Sequence, residues 1–101
     1  MTTLTLSDIL DDLCADEEGL HRFERRYWIS SDDFYDLYSR GLLDDGENSE
    51  EFAEWAGHYK LRLKRQTALA RVSRQRMEML HQQSDRMAVR LMPAEPVFQL
   101  G

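Results

Sequence analysis

A chain of 101 residues with a formal net charge of −6 is long enough for one small domain and too short for two separate hydrophobic cores. Its composition is 42% hydrophobic and 32% charged, with five glycines and two prolines, which favours helices over sheets. No apolar run is long enough to cross a bilayer, the N-terminus lacks the basic start of a signal peptide, and the single Cys14 excludes an internal disulfide. We therefore expect a cytoplasmic protein with no membrane contact.

The charge is distributed unevenly along the chain. Residues 1–54 carry 16 acidic and 4 basic side chains, a net charge of −12, whereas residues 55–101 carry 9 basic and 3 acidic ones, a net charge of +6. An acidic half joined to a basic half indicates that the two halves pack together or that one of them meets a charged partner.

A first helix is predicted over about residues 7–28. Thr5 and Ser7 are candidate caps, and Asp8 suits the positive end of the helix dipole. The acidic and glycine-containing residues 16–19 weaken its middle. Cys14 is expected to be a small core residue on this helix rather than a nucleophile. The apolar stripe consists of Leu6, Ile9, Leu10, Leu13, Leu20, Phe23 and Tyr27.

A second, short helix is predicted over about residues 32–40. Ser30 and Asp33 have the spacing of a capping box, and Gly41 stands where a left-handed C-terminal cap favours glycine. Aromatic side chains near this turn are expected to close a small core. The predicted core residues are Phe23, Tyr27, Trp28, Phe34, Tyr38, Phe52, Trp55 and Tyr59.

The longest predicted element is a helix over about residues 49–92, ended by Pro93. At about 1.5 Å per residue it would be on the order of 65 Å long. The sequence therefore predicts an all-α fold, a helical hairpin or small bundle with one long C-terminal helix of coiled-coil-like periodicity, forming a single domain over residues 1–92. Its seven-residue repeat, the heptad row, consists of Phe52, Ala56, Tyr59, Leu63, Gln66, Ala70, Ser73, Met77, Leu80, Ser84, Met87 and Leu91.

The first helix is about half as long as the last, so we expect it to cover the heptad row over about residues 52–70. Residues 73–91 of the row would then lack a partner within the chain. The flanking positions are basic, which disfavours a parallel homodimer and favours an acidic helix as the neighbour. A second apolar stripe on the outer side of the helix favours a bundle; it consists of Leu61, Ala68, Val72, Met79 and Val89.

Residues 93–101 are predicted to be an extended tail. Pro93 and Pro96 restrict its backbone, and two interpretations remain open: a frayed terminus, or a short anchor whose apolar side chains bind a partner. The candidate partner-binding residues of the long helix and tail are Arg74, Arg76, Met77, Leu80, Met87, Leu91, Val97, Phe98 and Leu100.

Catalytic patterns are missing from the sequence. His21, His58 and His81 have no ligand-like spacing with one another or with Cys14, so we expect no metal and no cofactor. Acidic pairs such as residues 11–12, 32–33 and 44–45 lie at predicted helix starts and in a loop, where caps and solvated faces explain them. No phosphate-binding loop or nucleophile elbow occurs. The chain is predicted not to be an enzyme.

The block over residues 23–59 carries a recognisable pattern. It reads Phe-x-x-x-Tyr, then Ser-Ser-x-x-Phe-Tyr, then Gly-x-Leu-x-Asp, then Phe-x-Glu-Trp-Ala-x-x-Tyr, with Trp28 where a small residue is usual. This resembles small uncharacterised bacterial and archaeal helical proteins, some of which are encoded beside toxins and are regarded as their antitoxins. The resemblance implies a helical, non-catalytic binding protein.

Three hypotheses follow. The first is an antitoxin-like protein that binds a cognate protein partner, such as a toxin, through its long helix and tail. The second is a self-assembling structural or adaptor subunit, that is, a homo-oligomer. The third is a small nucleic-acid-binding regulator, for which the basic residues of the long helix are the motive, although the net negative charge of the chain opposes it.

Overall fold

The computed structural model describes residues 2–44, 46–82, 88–89, 91–93 and 97–100. Three α-helices carry the fold, which confirms the predicted all-α hairpin with one long helix. The elements are β1 (Thr2–Thr5), α1 (Leu6–Tyr27), α2 (Ser31–Ser39), a 3₁₀ turn (Gly46–Asn48), α3 (Ser49–Gln82) and β2 (Val97–Leu100). The molecule is elongated, with extents of 60 × 29 × 22 Å.

Helix α1 begins and ends at local signals in its sequence. Thr5 and Asp8 form a reciprocal capping box, with each side chain accepting the other residue's backbone N–H at 3.1 Å. At the other end Trp28 adopts a left-handed conformation with φ of 59°, and its N–H donates to the carbonyl of Glu24. A left-handed cap favours a residue without a Cβ, which explains why a small residue suits this position.

The expectation that Trp28 belongs to the core is wrong, because its side chain is 92% exposed. The expectation for Cys14 is wrong as well, since Cys14 is exposed on α1. In both cases the hydrophobic character of the side chain did not predict its burial. The left-handed turn at Trp28 carries its side chain outward.

Helix α1 continues without a break through residues 16–19, and Gly19 in this stretch faces α3. A Cβ atom on Gly19 would lie 2.8 Å from Cε1 of His58, well inside normal contact distance. The missing side chain therefore lets the two helices approach closely. Gly19 lowers the helix propensity of α1, but the close packing of α1 against His58 of α3 leaves no room for a larger residue at this position.

Aromatic rings close the core where α1, α2 and α3 meet. Phe34 stacks on Trp55 with ring centroids 3.8 Å apart and an interplanar angle of 3°. The buried hydroxyl of Ser31 accepts a hydrogen bond of 2.9 Å from the indole N–H of Trp55, a contact that sequence reasoning did not anticipate. The buried cluster is Leu20, Phe23, Phe34, Phe52, Trp55 and Ala56, and the half-buried Tyr27, Ile29, Tyr35, Tyr38, Leu43 and Tyr59 pack against it.

Helix α2 begins at the predicted cap. The side chain of Ser30 accepts the backbone N–H of Asp33 at 3.1 Å, which is one half of a capping box. The chain turns after Arg40, where Gly41 adopts a left-handed conformation with φ of 68°.

Helix α3 ends at Gln82 rather than near residue 92. Residues 88–89 and 91–93 are not helical, and residues 83–87 and 90 lie outside the described part of the chain. The side chain of Arg76 donates to the carbonyl of Met92 at 3.3 Å, so residues 91–93, which with β2 we call the returning chain, lie beside α3. The seven-residue repeat continues in the sequence to Leu91, so it gave no indication that the helix ends earlier.

The returning chain pairs with the N-terminus. Strand β2 is antiparallel to β1, with Thr2 opposite Leu100 and Thr5 opposite Val97. Val97–Leu100 are therefore extended, and their backbone is paired with another segment of the same chain. This pairing joins residues at opposite ends of the sequence, and no local pattern indicated it.

Helix α1 packs antiparallel to α3 and covers a face that moves around α3 along its length. Phe23 stacks on Trp55, and Asp12 lies 3.6 Å from Arg65. Further along, Val72 is buried, although it belongs to the stripe expected on the outer side. At about 100° per residue, Val72 points about 100° away from Trp55, which is the signature of helices that cross at an angle.

This crossing corrects the expected coverage of the heptad row. Phe52 and Ala56 are buried and Tyr59 is half-buried, but the row is exposed from Leu63 onward until Leu80, which is buried. We call the exposed part the uncovered row; it consists of Leu63, Gln66, Ala70, Ser73 and Met77.

Candidate protein-binding face of the long helix

The uncovered row presents mostly apolar and small side chains to solvent along about four turns of α3, from Leu63 to Met77. Leu63 is 44% exposed and Met77 is 49% exposed. Between them the side chains of Ala70 and Ser73 are small, and a shallow groove of about 370 Å³ is lined by these two residues with Arg74 and Met77. Small residues flanked by larger ones form the kind of surface into which the side chains of another helix fit.

A second row of side chains runs beside the uncovered row. The basic row consists of Lys60, Lys64, Arg71 and Arg74, which are all exposed. Their spacings of four, seven and three residues place them on one side of α3, about 100° around the helix from the uncovered row. Within the described part of the chain, none of these four cations forms an ion pair. Glu78 follows on the same side of the helix.

The other arginines of α3 are engaged within the chain. Arg62 contacts the carboxylate of Asp32 at 3.0 Å and lies over the ring of Tyr59, with its central carbon 4.8 Å from the ring centroid. Arg65 pairs with Asp12. The acidic and basic halves of the sequence therefore do pack together, and the four cations of the basic row take no part in these pairs.

A hydrogen bond anchors Tyr59 beside this ion pair. Its hydroxyl donates to the carboxylate of Asp32 at 2.8 Å. This bond, with partial burial and the charge of Asp32, raises the pKa of Tyr59 above its ordinary value of 10.0, and the nearby Arg62 opposes the rise. The network fixes α2 against α3 just before the uncovered row begins.

The predicted partner-binding residues separate into distinct environments. Arg74 and Met77 come together on the groove of the uncovered row. Arg76 is half-buried and bonded to Met92, and Leu80 is buried, so neither is available to a partner. Leu91 is exposed beyond α3, in the returning chain, and Met87 lies outside the described residues. Val97, Phe98 and Leu100 belong to β2.

Two features of this face were not assigned to a site from the sequence. Leu63 and Ala70 were expected beneath α1, and the four cations of the basic row were not separated from the other arginines of α3. The spacing of the basic row along one side of a helix is a signal that the sequence does contain. Which cations pair with α1 and α2 depends on the crossing of the helices.

The junction of α1 and α3 contains a groove of about 590 Å³ that is lined by charges of both signs. Arg22 contacts Glu54 at 3.1 Å, and Arg26 contacts Glu51 at 3.2 Å. A hydrogen bond with Tyr27, together with the charge of Glu51, raises the pKa of Arg26 above its ordinary value. Because these charges neutralise one another, the groove is explained as helix pairing rather than as a ligand site.

Glu24 ties the end of α1 to the start of α2. Its carboxylate accepts the backbone N–H of Ser31 at 2.9 Å and contacts Nδ1 of His21 at 2.8 Å. Burial raises the pKa of Glu24, but the hydrogen bonds from His21 and Ser31 outweigh that effect, and the pKa lies below its ordinary value of 4.5. The role of this carboxylate is structural.

Metal-binding groups are not found in the part of the chain that the structure describes. There, no three side chains of His, Cys, Asp or Glu come together as a metal site. The described helices also include none with the length and apolar character needed to cross a membrane. His58 packs against Gly19, and Cys14 is exposed on α1.

Comparisons with protein-family models, with curated protein sequences and with solved structures found no match. The resemblance over residues 23–59 therefore stays a prediction. We interpret the face of α3 from its own geometry.

Proposed function

We propose that this chain is a non-catalytic binding protein that occupies a cognate protein partner through the exposed face of α3, in the manner of an antitoxin. The observation that carries the proposal is the uncovered row. α1 crosses away from it, and the returning chain contacts α3 through Arg76, which lies about 100° from Met77 around the helix. A row of this length with large apolar side chains at both ends gains free energy when another surface covers it.

The dimensions of the face suit a protein partner. From Lys60 to Met77 it extends for about 27 Å along α3, since an α-helix rises about 1.5 Å per residue. Covering the exposed part of Leu63 and Met77, which is a little under half of each side chain, is worth about 0.7–1.5 kcal/mol each. An apolar centre with a charged rim is the usual composition of a protein interface.

The resemblance over residues 23–59 supports the antitoxin-like reading. That block supplies most of the aromatic core, in which Phe34 and Trp55 stack, and it supplies Asp32, which pairs with Arg62 just beyond the block. The residues of the block therefore form the packed end of the molecule, and α3 extends beyond it. The protein is proposed to act in the cytoplasm, where an exposed thiol such as that of Cys14 stays reduced.

Capture of the partner tests the proposal, and α3 supplies a matched control. Leu61 and Met79 are each 40% exposed, close to the values of Leu63 and Met77, but they lie on the far side of the helix. We expect a tagged chain, expressed in its own cells, to capture a protein in stoichiometric amount. Leu63→Glu with Met77→Glu should abolish the capture, and Leu61→Glu with Met79→Glu should preserve it.

The outcomes separate the hypotheses. Equal loss of capture in both double variants would contradict the proposed face. If no other protein is captured and light scattering shows a homo-oligomer that only the first pair dissociates, self-assembly replaces partner binding. Circular dichroism of both variants establishes that the helices remain folded.

A further inference from the structure

The charges of the basic row indicate that the partner carries acidic side chains where it contacts α3. We propose that the segment bound to α3 is an amphipathic helix whose apolar stripe is flanked by Asp and Glu. Its apolar side chains lie on the uncovered row, and its carboxylates face Lys60, Lys64, Arg71 and Arg74. This inference rests on the proposed function and adds the chemical class of the partner.

Helix α1 shows that α3 already binds a helix of this kind on a neighbouring side. α1 contains seven acidic and three basic residues, and its apolar side chains Ile9, Leu20 and Phe23 are buried. Its Asp12 pairs with Arg65 of α3. The uncovered face repeats this combination of an apolar row beside cations, and no ion-pair partner for those cations is found within the described residues.

A second copy of the same face fits poorly. In a parallel two-fold pair of α3 helices, the two basic rows would lie on opposite sides of the interface, and the uncovered row offers them no carboxylate. In an antiparallel pair, the basic row of one copy would lie along the basic row of the other. Like charges brought together at an interface oppose association. Carboxylates on a different helix would remove this repulsion and contribute favourable ion pairs.

A nucleic acid fits less well than an acidic helix. Phosphates would pair with the basic row, but they would leave Leu63 and Met77 against a polar backbone. The net charge of −6 also opposes the approach of a polyanion. The small residues Ala70 and Ser73 form a groove of the size that aliphatic side chains fill.

Three synthetic helical peptides test the inference with the full-length chain. They share one heptad sequence with leucine at the two seam positions, and they differ only in the flanking residues, which are Glu, Gln or Lys. Each carries a fluorophore and is held at nanomolar concentration while its anisotropy is followed during titration with the protein. We expect the Glu peptide to bind about tenfold or more tightly than the Gln peptide, and the Lys peptide to bind weakest.

Charge reversal provides the matched variants. Lys64→Glu with Arg71→Glu should weaken binding of the Glu peptide by about tenfold or more and strengthen binding of the Lys peptide. Arg25→Glu with Arg40→Glu changes the net charge by the same amount at exposed sites away from this face, and it should leave both affinities within about twofold.

Three results would overturn the inference. One is a Glu peptide that binds no better than the Gln peptide, and another is an equal effect of the two charge-reversal pairs. The third is tighter binding of a labelled DNA duplex that is lost in Lys64→Glu with Arg71→Glu, which would assign the basic row to a nucleic acid. Partner capture that depends on Met77 would survive the first two results, so failure of the inference is distinguishable from failure of the proposed function.

Discussion

Replacing Gly19 with alanine tests the close approach of α1 to α3, which sets the crossing of the two helices. A Cβ atom at this position would lie 2.8 Å from Cε1 of His58 and 2.9 Å from each of the two ring nitrogens. Favourable contacts between carbon atoms are about 3.5–4.0 Å long, so the added methyl group overlaps the imidazole. Either the ring or one of the helices has to move.

Two opposing effects set the size of the change. Alanine in a helix interior is favoured over glycine by about 0.8–1.0 kcal/mol, whereas forcing a methyl group into a packed contact costs about 1–3 kcal/mol. Gly57 in α3 is the matched control, because a Cβ atom there meets no other atom within 4 Å. We expect Gly57→Ala to raise the free energy of unfolding by about 1 kcal/mol, and Gly19→Ala to fall about 1–3 kcal/mol below that variant.

Urea unfolding followed by circular dichroism measures the difference. With a urea dependence of about 1–3 kcal/mol/M, a difference of about 2 kcal/mol separates the two midpoints by about 1 M. In a His58→Ala background the overlap disappears, and Gly19→Ala should become stabilising. If Gly19→Ala and Gly57→Ala stabilise the wild-type chain equally, the packing of α1 on α3 described above is wrong.

The remaining predictions concern buried polar contacts and the end of α1. Ser31→Ala should lower the free energy of unfolding by about 1–3 kcal/mol in urea titrations, since the buried indole of Trp55 loses its acceptor, and the exposed Ser39→Ala should change it little. Trp28→Gly should raise it by about 0.5–1 kcal/mol by relieving the left-handed φ of 59°, and an unchanged or lower value would contradict that strain. The lowered pKa of Glu24 favours its carboxylate in the folded state, so its contribution is present above the ordinary pKa of 4.5 and is lost as the pH falls below it. Glu24→Gln should therefore flatten the acid side of a stability–pH curve, and an unaltered curve would refute the assignment.

The helices were predictable because their signals are local. Thr5 and Ser30 cap α1 and α2 as their sequence contexts indicate, and Gly41 supplies a left-handed turn after α2. Apolar residues at helical spacing then identified the aromatic core, in which Phe34 and Trp55 are buried. Each of these features depends on residues a few positions apart.

The errors concern contacts between distant parts of the chain. Whether Leu63 or Val72 is covered depends on the crossing of α1 over α3, and periodicity places both on apolar stripes. The prediction of a helix to about residue 92 was wrong, because residues 88–89 and 91–93 are not helical and the carbonyl of Met92 accepts a hydrogen bond from Arg76. The pairing of β1 with β2 joins the two ends of the sequence. Because no short turn connects these strands, no local sequence pattern predicts their pairing.

The candidate site was predictable in part for the same reason. Arg74 and Met77 were selected because they lie on or beside the heptad row, and both line the exposed groove. Leu80 was selected on the same grounds, but it is buried within the chain. Separating the basic row from Arg62 and Arg65 required knowledge of which cations face Asp32 and Asp12.

The most direct test of the proposed function is the dissociation constant of the isolated partner for two double variants of α3. Leu63 is 44% and Met77 is 49% exposed, so covering the exposed part of both is worth about 1.5–3 kcal/mol in total, and Leu63→Glu with Met77→Glu should weaken binding by about tenfold to a hundredfold. Leu61→Glu with Met79→Glu, which places the same charges at similar exposure on the far side of the helix, should weaken it by less than about threefold. Similar dissociation constants for the two variants would show that the partner does not bind the uncovered row.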